Sequence, residues 1–264
     1  MAIAFSHFRG GTMLRQLVGG ILRSPIATPL RRLKAAAIPN SVLATRKRIA
    51  ARYLRGVGIE VGALNKPVPV SLLAQVKYVD RMSNEDLMRQ YPDLARLSLV
   101  PVEIVADGET LAGVPDGSQG FVIANHFLEH CQDPIGTLKH FLRVLQPDGV
   151  IYFAVPDKRF TFDRERPVTT LEHLIADHEH GPAASRRGHF EEYARFVHHR
   201  QTEPEVQALA DDLMQRDYSI HFHVWTQREV LELLAWLQRT ESFDVELVQK
   251  NADEVIGILR KHHT

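Results

Sequence analysis

The stretch Val57-Gly-Ile-Glu-Val-Gly62 is a short apolar run cut off by a glycine, and a second run, Val76-Lys-Tyr-Val79, ends in Asp80. Near-continuous apolar character bounded by a turn residue is the mark of a strand buried in a parallel sheet. Gly62 has no Cβ, so the backbone there can approach a ligand closely. A carboxylate at the tip of the second strand is placed to accept hydrogen bonds from a ribose diol. Together the two strands predict a Rossmann-like half that binds a nucleoside. A dinucleotide fingerprint would need glycines at positions 64 and 67, where the chain has Leu64 and Pro67. Proline has no N–H to offer a phosphate. An adenosyl ligand without phosphates asks only for one tight turn and the ribose carboxylate, and it fits this loop better.

The same rhythm continues along the chain. Ser83 followed by Asp86 reads as a helix N-cap arrangement. Val102 to Ala106 reads as a third strand and Phe121-Val-Ile-Ala124 as a fourth, ending in Asn125-His126-Phe-Leu-Glu129-His130. Asp133-Pro134 is an N-cap with proline at the first helical position. Ile135, Leu138, Leu142 and Leu145 then recur at spacings of three and four, the stripe of an amphipathic helix. Gln146-Pro-Asp-Gly149 stops it, and Gly149 to Val155 is a fifth strand. Five strands with helices between them predict a doubly wound parallel sheet. Thr226 with Glu229 makes a capping box for a helix through Gln238, and Phe243 to Gln249 with Glu254 to Arg260 read as two closing strands paired as a hairpin. The fold expected is therefore α/β, Rossmann-like and doubly wound, with a mostly parallel seven-stranded sheet.

Residues 156–219 break that rhythm. The segment is polar, helical in outline and carries His173, His178, His180, His189, His198 and His199. An insertion at the carboxyl end of a sheet strand sits where ligands bind in such folds, so it is expected to be a helical lid. The domain division expected is a basic extension over 1–44 and one catalytic domain over 45–264.

Charge sharpens the division. Lysine plus arginine and aspartate plus glutamate balance at 32 each, yet the first 55 residues hold eleven basic residues and no acidic one, which leaves the remainder at −11. A net acidic body without a basic stripe argues against nucleic acid as substrate. The basic extension is expected to be solvated or loosely packed, with weak contact to an acidic membrane surface as its functional reading. From Ala44 to Leu54 a helix is expected. No apolar run is long enough to span a bilayer. The lone Cys131 fits a reducing, cytoplasmic setting and is expected to be a buried, inert thiol.

His126 and His130 stand four apart with Glu129 beside them, a spacing able to ligate a metal on one helix face. The segment straddles a strand-to-helix turn, however, so one imidazole should point elsewhere, and no metal is expected.

The order of strands, with Glu60-Val-Gly62, Asp80, Asp107, the Asn125-to-His130 segment and Leu145-Gln-Pro-Asp-Gly149, resembles class I S-adenosylmethionine-dependent methyltransferases of the type 11 kind over roughly residues 45–260. The segments Pro156-Asp-Lys-Arg-Phe-Thr-Phe-Asp163 and His221-Phe-His-Val-Trp-Thr226 look like a bacterial subgroup found beside glycan-assembly enzymes. The departure is in the first loop, where the family's several glycines shrink to Gly62. The resemblance implies S-adenosylmethionine as cofactor, with Glu60, Gly62 and Ala63 lining its methionine end. It places Asp80 on the ribose, Met82 over the adenine, Asp107 at the adenine amino group and Gly108 beside it for clearance. Asn125 and His126 would face the sulfonium and the acceptor, which is expected to be a small molecule or glycan methylated at oxygen. For a hydroxyl acceptor a general base is useful, and histidine suits neutral pH. His126 is the first candidate, with His178, His180 and His189 of the lid behind it. The other readings are a non-catalytic nucleoside-binding protein of the same fold and a metal-dependent hydrolase using the lid histidines.

Overall fold

The structure, a computed structural model, describes residues 42–263. The greater part of the basic extension, and the contacts expected of it, lies outside the described residues. The first described element is a helix, α1 (Val42–Tyr53), which starts two residues before the span expected.

Seven strands form one sheet: β1 (Gly56–Val61), β2 (Ala74–Asp80), β3 (Ile104–Val105), β4 (Gln119–Asn125), β5 (Leu145–Pro156), β6 (Phe243–Asn251) and β7 (Glu254–Lys261). Their order is β3-β2-β1-β4-β5-β7-β6. The first five are mutually parallel, and β7 enters antiparallel between β5 and β6. This is the mostly parallel seven-stranded sheet expected. The order reverses between β1 and β4, which makes the carboxyl ends of those two strands the crevice where ligands bind in open α/β sheets.

The connections depart from the expectation in one respect. The β1–β2 and β3–β4 connections are loops and turns, with helices at β2–β3 (α2, Asn84–Gln90) and β4–β5 (α3, Pro134–Val144). Pro67 and Pro69 stand in the first connection, and each removes a donor that a helix needs. The buried Glu60 carboxyl group takes up the backbone there instead, accepting from Val68 N at 2.9 Å. The Ser83 and Asp133 caps are formed, with the Ser83 hydroxyl accepting from Asp86 N and the Asp133 carboxylate from Gly136 N.

Two apolar layers hold the sheet. One buries Ile59, Val61, Val122, Ala124, Ile151, Phe153 and Val255 against Ile135, Leu138, Phe141 and Leu142 of α3 and Val230, Leu233, Leu234 and Leu237 of a later helix, α7 (Gln227–Leu237). The other buries Phe121, Ile123, Tyr152, Ala154, Ile256 and Ile258 against Ile49, Ala50 and Leu54 around α1. Thr226 and Glu229 form the capping box of α7.

Between β5 and α7 come α4 (Leu171–His180), α5 (Ala183–Phe196) and α6 (Glu203–Gln215). The last two share a small core of their own, in which Phe190, Tyr193 and Val197 meet Ala210, Leu213, Ile220 and Phe222, whereas Leu174 of α4 packs into the first sheet layer. The extended segment 220–225 meets the end of β5 through the bridge Asp157–Trp225. Among the described residues no helix is long and apolar enough to cross a membrane.

Candidate active site

At the end of β1 the chain turns at Gly62, whose φ is +66°, while its N–H donates to Val79 O at 2.9 Å. Opposite, β4 ends in Asn125 and turns at His126, which holds φ +52°. A non-glycine residue in that region stores about 1–3 kcal/mol of strain, and such residues gather at functional sites. Gly62, Ala63, Asn65 and Lys66 from the first loop face Asn125, His126, Glu129 and His130 across a cavity of about 230 Å³, with Arg46 of α1 at its side.

A second cavity, of about 300 Å³, is lined by Arg81, Asp107, Gly108, Glu109, Phe127 and His130 and closed by the segment 217–222. His130 belongs to both walls, so the two cavities lie on either side of one side chain. Arg81 reaches across this cavity to Asp217 at 2.7 Å and to the Tyr91 hydroxyl at 2.9 Å, joining the end of β2 to the helical insertion.

The residues expected to hold a cofactor divide into three groups. Gly62, Ala63, Asn125 and His126 share the smaller cavity, and Asp107 and Gly108 share the larger. Asp80 is buried at the tip of β2, where its carboxylate accepts from Arg81 N at 2.8 Å. Met82 packs beside Leu64, Leu87 and Leu94. Glu60 lines neither cavity: both its oxygens face Val68 N, and burial pushes its carboxyl up to about 8. Its place is that of a loop anchor. His178 also lines neither cavity; its Nδ1 lies 2.9 Å from Asp133, the cap of α3.

His126 sits among charges that its sequence neighbours only half disclose. Its Nε2 is 2.8 Å from Glu254 Oε2 and its Nδ1 3.5 Å from Glu129 Oε1. Burial lowers the His126 pKa, but the Glu254 hydrogen bond and the charges of Glu129 and Glu254 outweigh it, so the net shift is upward. Glu254 also accepts from the Arg46 guanidinium and from Asn251 Nδ2 at 2.6 Å. Burial alone would raise the Glu254 carboxyl; His126 and Arg46 overcome that and hold it at about 2. Glu254 is therefore an ionised acceptor throughout the neutral range. Glu129 differs: it is buried, neither oxygen has a hydrogen-bond partner, and burial raises its pKa.

The unpartnered buried atoms bear on what the cavities hold. Asn125 Oδ1, both Glu129 oxygens and His130 Nε2 are all buried without partners, and all belong to side chains that line the smaller cavity. Buried polar groups are costly unless satisfied, so these walls are built for a polar guest. Gly108 shapes the other cavity: a Cβ there would lie 2.5 Å from Val61 Cγ1 and 2.6 Å from Phe127 Cζ. The residues present thus fit an elongated ligand with a polar, hydrogen-bonding centre.

A family profile described as a methyltransferase domain matches residues 76–236. No curated protein matches the chain. Among solved structures, an S-adenosylmethionine-dependent methyltransferase from Aquifex aeolicus is 15% identical with a TM-score of 0.41, over 79% of this chain and 83% of that one. A putative zinc-dependent alcohol dehydrogenase from Rhodobacter sphaeroides is 13% identical with a TM-score of 0.49, over 83% and 89%. The 1,6-didemethyltoxoflavin N1-methyltransferase of Burkholderia thailandensis, solved with 1,6-didemethyltoxoflavin and S-adenosylhomocysteine bound, is 13% identical with a TM-score of 0.46, over 94% and 90%.

Proposed function

The chain belongs to the methyltransferase-domain family as a class I S-adenosylmethionine-dependent enzyme, and from that premise we propose that it methylates a hydroxyl of a small molecule or glycan, with His126 as the proton acceptor. S-adenosylmethionine supplies an electrophilic methyl group on a sulfonium when bound. On this reading Gly62 and Ala63 give the methionine end room, Asp80 accepts from the ribose, and Asp107 accepts from the adenine amino group beside Gly108. Met82 covers the adenine from the Leu64 side, and Asn125 faces the reacting centre. The helices between β5 and α7 act as a lid, for which the Arg81–Asp217 ion pair across the larger cavity is the support.

The observation that carries the reading is the His126–Glu254 bond at 2.8 Å on the wall of the smaller cavity. An ionised Glu254 fixes one imidazole nitrogen as a donor, which leaves Nδ1, on the Glu129 side, as the lone pair that takes a proton. A carboxylate behind the ring orients it and raises its basicity, the arrangement that makes histidine an efficient general base. Alignment of the acceptor oxygen with the methyl group supplies most of the remaining acceleration.

Calorimetric titration with S-adenosylmethionine, S-adenosylhomocysteine and NAD in parallel tests the cofactor. Binding of both adenosyl ligands with NAD silent is the expected result; NAD alone binding would overturn it. A panel of hydroxyl, amine and thiol acceptors, read by mass spectrometry for S-adenosylhomocysteine and methylated product, then tests the acceptor. Products methylated only at nitrogen or sulfur would overturn the oxygen assignment.

A further inference from the structure

His173 and Asp177 lie one turn apart on α4, His189 lies on α5, and His223 lies in the extended segment that leads into α7. These four side chains converge. Asp177 Oδ2 is 3.1 Å from His173 Nε2, 3.8 Å from His189 Nε2 and 3.9 Å from His223 Nε2, while His173 Nε2 and His189 Nε2 are 3.1 Å apart. One ligand atom from each residue falls within 4.8 Å of all the others, and all but His173 are buried.

Hydrogen bonding satisfies little of the cluster: His223 Nε2, the nitrogen that faces Asp177, meets Gln132 O at a long 3.4 Å. Asp177 Oδ2 is buried and has no hydrogen-bond partner despite three imidazole nitrogens around it, and His223 Nδ1 has none either. His173 Nε2 has one proton or one lone pair to give, yet it faces two atoms at 3.1 Å. A buried carboxylate oxygen left unpaired among three rings is costly. A cation at the centre removes that cost. Zinc binds imidazole nitrogen at roughly 2.0–2.1 Å and carboxylate oxygen at about 2.0–2.2 Å in tetrahedral sites. Those bond lengths put neighbouring ligand atoms about 3.3–3.5 Å apart; four of the six spacings, at 3.1–3.9 Å, bracket that value, and all lie within 4.8 Å.

We propose that His173, Asp177, His189 and His223 form a tetrahedral divalent-metal site, filled by zinc, that fastens the helical insertion to the segment beside the candidate active site. Three imidazoles and one carboxylate are a nitrogen- and oxygen-rich set that suits zinc. Four protein ligands close the coordination sphere, so the site is structural. The backbone of Phe222 accepts from the His189 ring and orients it, as outer partners of metal-bound histidine commonly do. A cavity of about 210 Å³ that His173 and His189 line offers the ion a way in. The metal would reach the active site through sequence: Phe222 and His221 precede His223, and Phe222 lines the larger cavity.

The test is metal analysis of the full chain, purified without a polyhistidine tag and dialysed after loading with zinc. About one equivalent per chain is expected, together with visible ligand-field bands of tetrahedral cobalt when cobalt replaces zinc. Asp177→Asn and His223→Ala should each lose the bands, whereas His180→Ala, at the exposed end of α4, should keep them. Chelation should lower Tm in the parent chain and leave the two ligand variants unmoved. Zinc below about one tenth of an equivalent in the folded parent chain would overturn the proposal. So would cobalt bands that survive Asp177→Asn, since the ion would then sit elsewhere, with the Glu129, His130 and His221 group as the alternative. Neither result depends on methyl transfer.

Discussion

Glu254 Oε2 stands 2.8 Å from His126 Nε2, joining the last antiparallel strand to the turn that ends β4. The same carboxylate takes the Arg46 guanidinium of α1 on its other side. One buried anion therefore sets both the charge of the candidate base and the docking of the N-terminal helix.

Replacing that anion separates its two roles. Glu254→Gln removes the interaction that raises the His126 pKa, so the acid limb of the pH–rate profile should move to lower pH while the maximal rate falls through lost orientation. Arg46 would be left nearly buried without its partner, at a stability cost of about 3 kcal/mol. Measuring kcat/KM against pH in both proteins checks the first effect and urea denaturation the second. An unmoved acid limb would mean that the titrating base is another group.

Asp107 offers a test of the adenosyl assignment that leaves the fold alone. It is exposed at the mouth of the larger cavity, and its carboxylate otherwise caps only Glu109 N at 2.7 Å. Asp107→Ala should weaken S-adenosylhomocysteine by about 10- to 100-fold, the value of roughly 1.5–3 kcal/mol for hydrogen bonds to a charged group, with Tm unchanged. Titration calorimetry reads the affinity directly. Equal affinity in both proteins removes Asp107 from the cofactor site.

Glu60 predicts a loss of stability as pH rises through neutrality. Its carboxyl rises from 4.5 to about 8 because it is buried, against the pull of Val68 N–H and Arg46. A group whose folded pKa lies above its unfolded value contributes stability that is complete below the unfolded pKa and lost as pH climbs through the folded one. Stability should therefore drop between about pH 4.5 and 8. Glu60→Gln keeps an acceptor for Val68 and cannot ionise, so its Tm should fall less than that of the parent between pH 5 and 9. Parallel thermal profiles for the two proteins would refute the idea.

The strands, caps and closing hairpin were legible because each rests on local pattern: the Ser83 and Asp133 caps, the Thr226–Glu229 box and the stripe through Ile135, Leu138 and Leu142 need no distant partner. The two helix-free crossovers ran against a fold-level habit, and Pro67 and Pro69 were the local signal that could have corrected the first. The site was legible only at strand tips. Gly62, Asp107 and Asn125 fall at the cavities because a parallel sheet places its strand ends there. Glu254, 128 residues from His126, could not be paired with it without the sheet order. His178 and His189 looked alike in sequence, yet one bonds a helix cap and the other joins a four-residue cluster. The i,i+4 pair His173–Asp177 was the readable half of that cluster, and His223 was not.

Arg166 ties the insertion to the segment that lines the larger cavity, and the strength of that tie can be measured. Its guanidinium is fully buried and bonds Asp163 at 2.9 Å, Glu192 at 2.7 Å, His221 O at 2.8 Å and Phe222 O at 3.3 Å. Asp163 in turn takes His221 Nδ1 at 2.7 Å; burial would raise its pKa, but that bond and Arg166 lower it. Arg166→Met leaves Asp163 buried with one partner fewer, a change that costs about 3–5 kcal/mol. Arg166→Lys should recover little, because a single ammonium cannot span four acceptors set out for a planar fork. Removing the charge from both partners, Asp163→Asn with Arg166→Met, should cost less than the two single changes together, since neither ion is then stranded. Denaturant midpoints for the three variants give the coupling directly. Strict additivity would show that Arg166 acts through packing alone and that the ionic network is dispensable.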